Sequence, residues 1–267
     1  MSSPAAPHAE GLLTTAWRFR TLLGVLVWRT LRHRYQDTTL GIAWVVLQPI
    51  LLTLVFSFVF GRSTVDAGAA PTSIIVMSGV IVWFFVNQAF VAGSTSIVAN
   101  ADLITRVKFP RMLLPLAYLI AGYVDLAVGF GVLGVVMLWF GQVPTMGVLL
   151  LPAAILVASA ACLGLALVLS AIYVRVRDVS ALLPFLSLLW LFTSPVIYSP
   201  SILPERFATL YLVNPLFTVI GATRWAIAGG PPPTLLAWAV SGGVSVGLLA
   251  LGLRVFRARE GVFADYV

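Results

Sequence analysis

Residues 34–61 read RYQDTTLGIAWVVLQPILLTLVFSFVFG, and this stretch decides how the chain is folded. It begins basic and polar, then runs without charge from Leu40 through Gly41 to Phe60. An uncharged run of that length crosses a hydrocarbon core of about 30 Å as a helix. Gln48–Pro49 lies near its start, where a lipid-facing span has little use for either residue. Proline removes a backbone donor and disturbs the turn before it, so a neighbouring helix, side chain or water must satisfy the freed group. A basic collar, a kinked apolar span and a buried amide in one element predict a helix that packs in a bundle.

The rest of the composition agrees. Of 267 residues, 60% are hydrophobic and 9% charged, against about a quarter charged in an average soluble domain. The chain reads as an all-α integral membrane protein of one domain, residues 1–267. Its net charge of +7 is therefore a topology signal and not a nucleic-acid footprint, since the basic residues cluster at span ends. The single cysteine, Cys162, excludes an internal disulfide and any cysteine metal cluster, and His8 and His33 lie in the polar N-terminal region. No metal site is expected. The N-terminus MSSPAAPHAEG has neither a basic start nor an early apolar core, so no cleaved signal peptide is expected.

Outward from the opening stretch, residues 12–35 read as an amphipathic interfacial helix. Leu12, Ala16, Phe19, Leu23, Leu26 and Val27 fall on one side, with Arg18, Arg29 and Arg32 on the other. Six spans are predicted over 40–60, 73–99, 113–140, 148–173, 181–198 and 235–256. Between spans 2 and 3 lies the charged segment 100–111, NADLITRVKFPR. Residues 199–233 hold two apolar pieces of about a dozen residues around Asn214–Pro215, a length that suits short re-entrant helices. Thirteen of the sixteen basic residues fall on one side of this scheme, against Arg62, Arg206 and Arg224 on the other. Both termini should therefore be cytoplasmic.

Catalytic constellations are lacking. The only lysine, Lys108, stands in RVKFP, and no glycine-rich turn followed by Lys and Ser/Thr offers a phosphate cradle. There is no His-Glu metal motif and no credible Ser/His/Asp set. One acid, Asp125, falls within a span, which is costly and marks either a pathway or a hydrogen-bonded packing residue. No intramembrane basic partner is visible in the sequence, which favours packing. The 100–111 segment mixes Leu103, Ile104, Val107 and Phe109 with charge. A solvated loop needs no such apolar face, whereas a segment docking into a protein groove does. Aromatics crowd the span ends, and interface anchoring and sugar-sliding rings both remain open for them.

The order of these features resembles the permeases of ABC-2 type transporters, and among them the branch that exports O-antigen or teichoic-acid polymers. The resemblance covers about residues 20–260. It rests on Leu40, Gly41, Trp44 and Pro49, on Phe109, Pro110 and Arg111, and on Asn214–Pro215. It implies a homodimer of six-span subunits in the bacterial inner membrane, moving a polyprenyl-diphosphate-linked glycan. Two separate ATPase subunits would bind ATP and magnesium, leaving this chain without a cofactor and not itself an enzyme. It further implies that 100–111 is the coupling segment, carried by Asp102, Leu103, Arg106, Val107, Lys108, Phe109 and Arg111. Residues 199–233 would form the outer gate. Expected substrate contacts are Arg29, Arg32, Arg34 and Tyr35 at the collar, with Trp44, Phe56, Phe60, Phe85, Trp190, Phe192 and Tyr198 along the path. An exporter of small hydrophobic compounds is the nearest alternative. A membrane-embedded glycan transferase and a passive scaffold or channel are further ones.

Overall fold

The computed structural model describes residues 11–36, 41, 43–60, 70–200 and 211–263. The polar N-terminus, the start of the first expected span at Leu40, Arg62, and residues 201–210 of the expected gate lie outside the described residues. So does the Phe60 side chain. The helices are α1 (Leu12–Arg18), α2 (Arg20–Gln36), α3 (Ala43–Phe60), α4 (Thr72–Ala99), α5 (Ala101–Arg106) and α6 (Leu113–Trp139). A 3-10 turn, Met146–Leu150, then runs into α7 (Leu151–Tyr173), followed by α8 (Val179–Thr193), α9 (Pro215–Ala228) and α10 (Leu235–Glu260). Among the described residues there is no strand.

Four helices are long and apolar enough to cross a membrane: α4, α6, α10 and the continuous piece Met146–Tyr173. Helices α3 and α8 are apolar but shorter. The expected fifth span reached residue 198, yet α8 stops at Thr193. Pro195 follows, and it holds Ser194 in an extended conformation (φ −106°, ψ 141°), as a pre-proline residue prefers. The expected interfacial helix is divided at Phe19, whose backbone leaves helical values (φ −103°, ψ 24°). Its apolar side is as read from the sequence: Leu23 and Leu26 are buried, and Leu12, Ala16, Phe19 and Val27 pack against the core.

Helix α4 is the hub. It packs against α3, α6, α7, α8 and α9 and is buried over most of its circumference from Ile74 to Ile97, as a helix apolar all round should be. On its far side α7 meets α10 at a backbone-to-backbone crossing. A Cβ on Gly164 would lie 2.4 Å from the carbonyl carbon of Leu248, and one on Gly252 would lie 2.4 Å from the Gly164 oxygen. Only glycine permits that approach, the general reason small residues mark helix crossings in membranes.

The α8–α9 connection is tied by one asparagine. Asn214 accepts from the Leu216 amide (3.1 Å), capping α9 with Pro215 at the first helical position. Its Nδ2 donates to the Thr193 carbonyl (3.1 Å) and the Ser194 hydroxyl (2.9 Å), and its Oδ1 accepts from Trp190 Nε1 (3.0 Å). At its other end α9 stops at Gly229 (φ 74°), the left-handed conformation a glycine cap adopts without strain. Thr145 then donates to the Trp225 carbonyl (2.8 Å), holding α9 against the end of the bundle where α7 begins.

Candidate polar cavity and coupling segment

Helix α2 keeps register along the first half of α6. Leu26 and Thr30 share a cavity wall with Leu114, Ala117 and Tyr118, and eight residues further on in each helix Arg34 meets Asp125. Eight residues span about 12 Å in either helix. The last turn of α2 is thereby carried to the middle of α6. There Asp125 accepts from both the Arg34 guanidinium and the Tyr35 hydroxyl. The two charged side chains are about one-fifth exposed, 20% for Arg34 and 19% for Asp125. Gln88 on α4, with its amide oxygen turned toward the guanidinium, accepts from Arg34 Nη2 at 2.8 Å and Nε at 3.3 Å. Burial, reinforced by the Asp125 carboxylate, pushes the Tyr35 phenol up to about 12. The phenol stays protonated at neutral pH and keeps its role as donor.

This cluster heads a half-open cavity of about 390 Å³ between α2, α3, α4 and α6. Trp44, Gln48 and Pro49 come from α3, Phe84 and Phe85 from α4, and Leu126 and Gly129 from α6. Phe85 is buried and tilted against Tyr123 with ring centroids 5.1 Å apart, whereas Trp44 is 39% exposed. The Gln48 amide, expected to be buried, is exposed toward this space, and Pro49 is buried. Aromatic faces together with amide and carboxylate groups suit a ligand that presents both ring faces and hydroxyls.

Of the expected substrate contacts, Arg34, Tyr35, Trp44 and Phe85 converge on this cavity. Arg29 lines a second cavity, of about 380 Å³, which shares Arg34 and Gln88 with the first. Arg32 is exposed and donates to Gln36 Oε1 at 2.5 Å. Phe56 packs partly buried against the core. Trp190 lies edge-on to Phe90 and is held by Asn214, and Tyr198 donates to the Phe192 carbonyl (3.3 Å). These last three residues form a separate group at the α8 end, with Phe192 57% exposed. The sequence reading missed the partner of Asp125. The signal was present in the adjacent Arg34–Tyr35 pair at the end of a helix that packs on the same span.

In the 100–111 segment only Ala101–Arg106 is helical, and Val107 is already extended. Asp102, Arg106, Val107 and Lys108 are exposed, Ile104 is buried, and Leu103 and Phe109 pack against the protein's own core. Arg111 turns inward. Its amide donates to Glu260 Oε1 (2.7 Å), its guanidinium donates to the Glu260 carbonyl, and it lies 5.9 Å from the centre of the buried Phe263 ring. Glu260 therefore satisfies an amide at the start of α6 while Arg111 satisfies a carbonyl at the end of α10, two helix ends that leave backbone groups orphaned. Among the described residues no group of His, Cys, Asp and Glu could hold a metal ion.

A bundle of apolar helices, four of them long enough to cross a membrane, with a short exposed segment between two of them, defines an integral membrane protein. The chain belongs to the ABC-2 type transporter family, which matches residues 21–228. Among its relatives is the O-antigen export system permease protein RfbA of Myxococcus xanthus, 27% identical over 259 residues, covering 96% of this chain and 99% of that protein. A protein of the same name from Klebsiella pneumoniae is 23% identical over 204 residues, covering 76% and 78%.

Proposed function

We propose that this chain is the permease subunit of an ATP-driven exporter that moves a polyprenyl-diphosphate-linked polysaccharide, of O-antigen or teichoic-acid type, across the bacterial inner membrane. The observation that carries this reading is the end-to-end similarity to an O-antigen export permease, 96% of one chain against 99% of the other. The cavity supports it, since it combines aromatic rings with amides and a carboxylate beside a cationic collar.

In this reading α3 and α8 are spans 1 and 5, completing six, and α9 belongs to a re-entrant outer gate. Both termini are cytoplasmic. Two copies associate, using apolar faces that carry Leu54 and Phe58 of α3 and Phe185 and Leu188 of α8, all exposed in the single chain. A separate ATPase dimer binds ATP and magnesium and docks on the exposed strip Asp102, Arg106, Val107 and Lys108. Arg106 and Lys108 steer it, and Val107 supplies apolar contact. Leu103 and Phe109 hold the strip to the core, and Arg111 joins it to α6. The rings of Trp44, Phe56, Phe60, Phe85, Trp190, Phe192 and Tyr198 serve sugars along the path.

The test is purification of the tagged chain from membranes, followed by reconstitution with the ATPase that accompanies it. ATP hydrolysis stimulated by lipid-linked glycan is the expected result. A chain that purifies without any ATPase, or an ATPase indifferent to the glycan, would contradict the proposal.

A further inference from the structure

Arg34 stands between two cavities of nearly equal size, about 390 and 380 Å³. Among the described residues the one acid in either wall is Asp125, in the first. The second is lined by Arg29, Thr30, His33, Asn100 and Tyr118, with no carboxylate among the described residues. Arg29 is exposed there and has no partner among the described residues. The three guanidinium nitrogens of Arg34, by contrast, are all taken by the protein's own acceptors: Nη1 by Asp125, Nη2 and Nε by Gln88. An anion entering the second cavity finds one open arginine and one already occupied.

We infer that Asp125 holds the place of a phosphate group: its carboxylate occupies Arg34 and Tyr35 in the resting permease, and an arriving diphosphate displaces it. The inference rests on the proposed lipid-linked substrate and goes beyond it by assigning an intramolecular competitor. Phosphate oxygens bind a guanidinium fork by the same paired, charge-assisted hydrogen bonds as a carboxylate, with more charge and more acceptors. Exchange of one for the other is therefore chemically close to balanced. The displaced acid sits on α6, which begins two residues after Arg111, so the exchange loosens α2 from the helix that continues the coupling segment. Arrival of cargo at the collar is thus registered on the helix that leads to the ATPase side.

The sign of the effect separates a competitor from a structural brace. If Asp125 only supports the site, its removal weakens binding. If it competes, its removal tightens binding. Purified permease in phosphatidylcholine nanodiscs is titrated with polyprenyl diphosphate, with inorganic diphosphate, and with phosphatidylglycerol. Asp125→Asn is expected to bind polyprenyl diphosphate about tenfold more tightly, the equivalent of about 1.4 kcal/mol, and Asp125→Glu to behave as wild type. The double variant Arg34→Gln, Asp125→Asn is expected to lose the gain. Tyr35→Phe, which removes one of the two holds on the carboxylate, should tighten binding about twofold and serves if Asp125→Asn does not fold. A similar gain with inorganic diphosphate supports phosphate as the recognised group. A gain confined to phosphatidylglycerol overturns the assignment in favour of a bulk-lipid site. Unchanged or weaker binding by Asp125→Asn and Tyr35→Phe, or a gain that survives loss of Arg34, overturns the competitor. Failure of wild type and variants alike to bind polyprenyl diphosphate overturns both the competitor and the substrate reading.

Discussion

Arg34 and Asp125, 91 residues apart in the chain, form an ion pair that fixes the end of α2 to the middle of α6. An acid within a span is costly unless it is paired, and this pair explains why the bundle tolerates it. It also puts an arginine and a tyrosine from a surface-type helix at the head of an aromatic cavity.

Asp125→Ala should lower stability by about 1.5–3 kcal/mol, the range for hydrogen bonds to a charged group. Asp125→Asn, which keeps an acceptor for Tyr35, should cost less. Thermal unfolding of the purified variants in detergent checks the order. Equal melting temperatures for wild type and Asp125→Ala would mean that the pair contributes nothing to folding.

The crossing of α7 and α10 predicts unusual intolerance. At Gly164 and Gly252 even a methyl group would overlap backbone atoms at 2.4 Å, and backbone cannot rotate aside. Gly164→Ala and Gly252→Ala should each reduce the yield of monodisperse protein sharply. Gly243→Ala, on the same helix with open space around it, should be neutral. A monodisperse Gly164→Ala protein at wild-type yield would contradict the close approach.

Arg111 and Glu260 tie the start of α6 to the end of α10 where residues 100–111 join α6. Glu260→Ala, which removes the Oε1 acceptor of the Arg111 amide, should keep assembly with the ATPase but raise the ATP hydrolysed per polymer exported several-fold, since the push on α5 would reach an α6 less firmly braced. Arg106→Gln, on the exposed strip, should instead weaken ATPase association in a salt-sensitive way, by up to about 1 kcal/mol. Export and hydrolysis measured on the same proteoliposomes separate the two effects.

Much of this architecture could be read from the chain alone, because spans write themselves as long apolar runs. Helices α4, α6, α7 and α10 lie where hydropathy put them, and the packed face of α1–α2 followed from helical spacing. The end of α8 was misjudged because Ile197 and Tyr198 continue the apolar run past Pro195, and composition outweighed the break. The inward turn of Arg111 was not legible either. Its partners Glu260 and Phe263 lie about 150 residues away, and no local pattern announces a contact at that separation. Asp125 was visible as an anomaly, but its partners were hidden because pairing across helices is a property of the bundle. The same limit held for the aromatics, of which Trp44 and Phe85 share the cavity while Trp190 serves the Asn214 joint.

The proposed topology rests on the distribution of arginine. In a Cys162→Ala background, a cysteine at exposed Pro232 should react with an impermeant thiol reagent added outside intact cells. Cysteines at exposed Thr105 and Ser180 should react only after permeabilisation. External labelling of Thr105 would place residues 100–111 on the wrong side for the proposed ATPase contact.

The most direct test of the export function is deletion of this chain in its own host, followed by fractionation of lipid-linked polysaccharide between cytoplasmic and outer surfaces. The expected result is loss of polymer from the cell surface with accumulation of the lipid-linked form inside, restored by the wild-type chain and not by Arg34→Gln. Normal surface polymer in the deletion strain, with no internal accumulation, would contradict it.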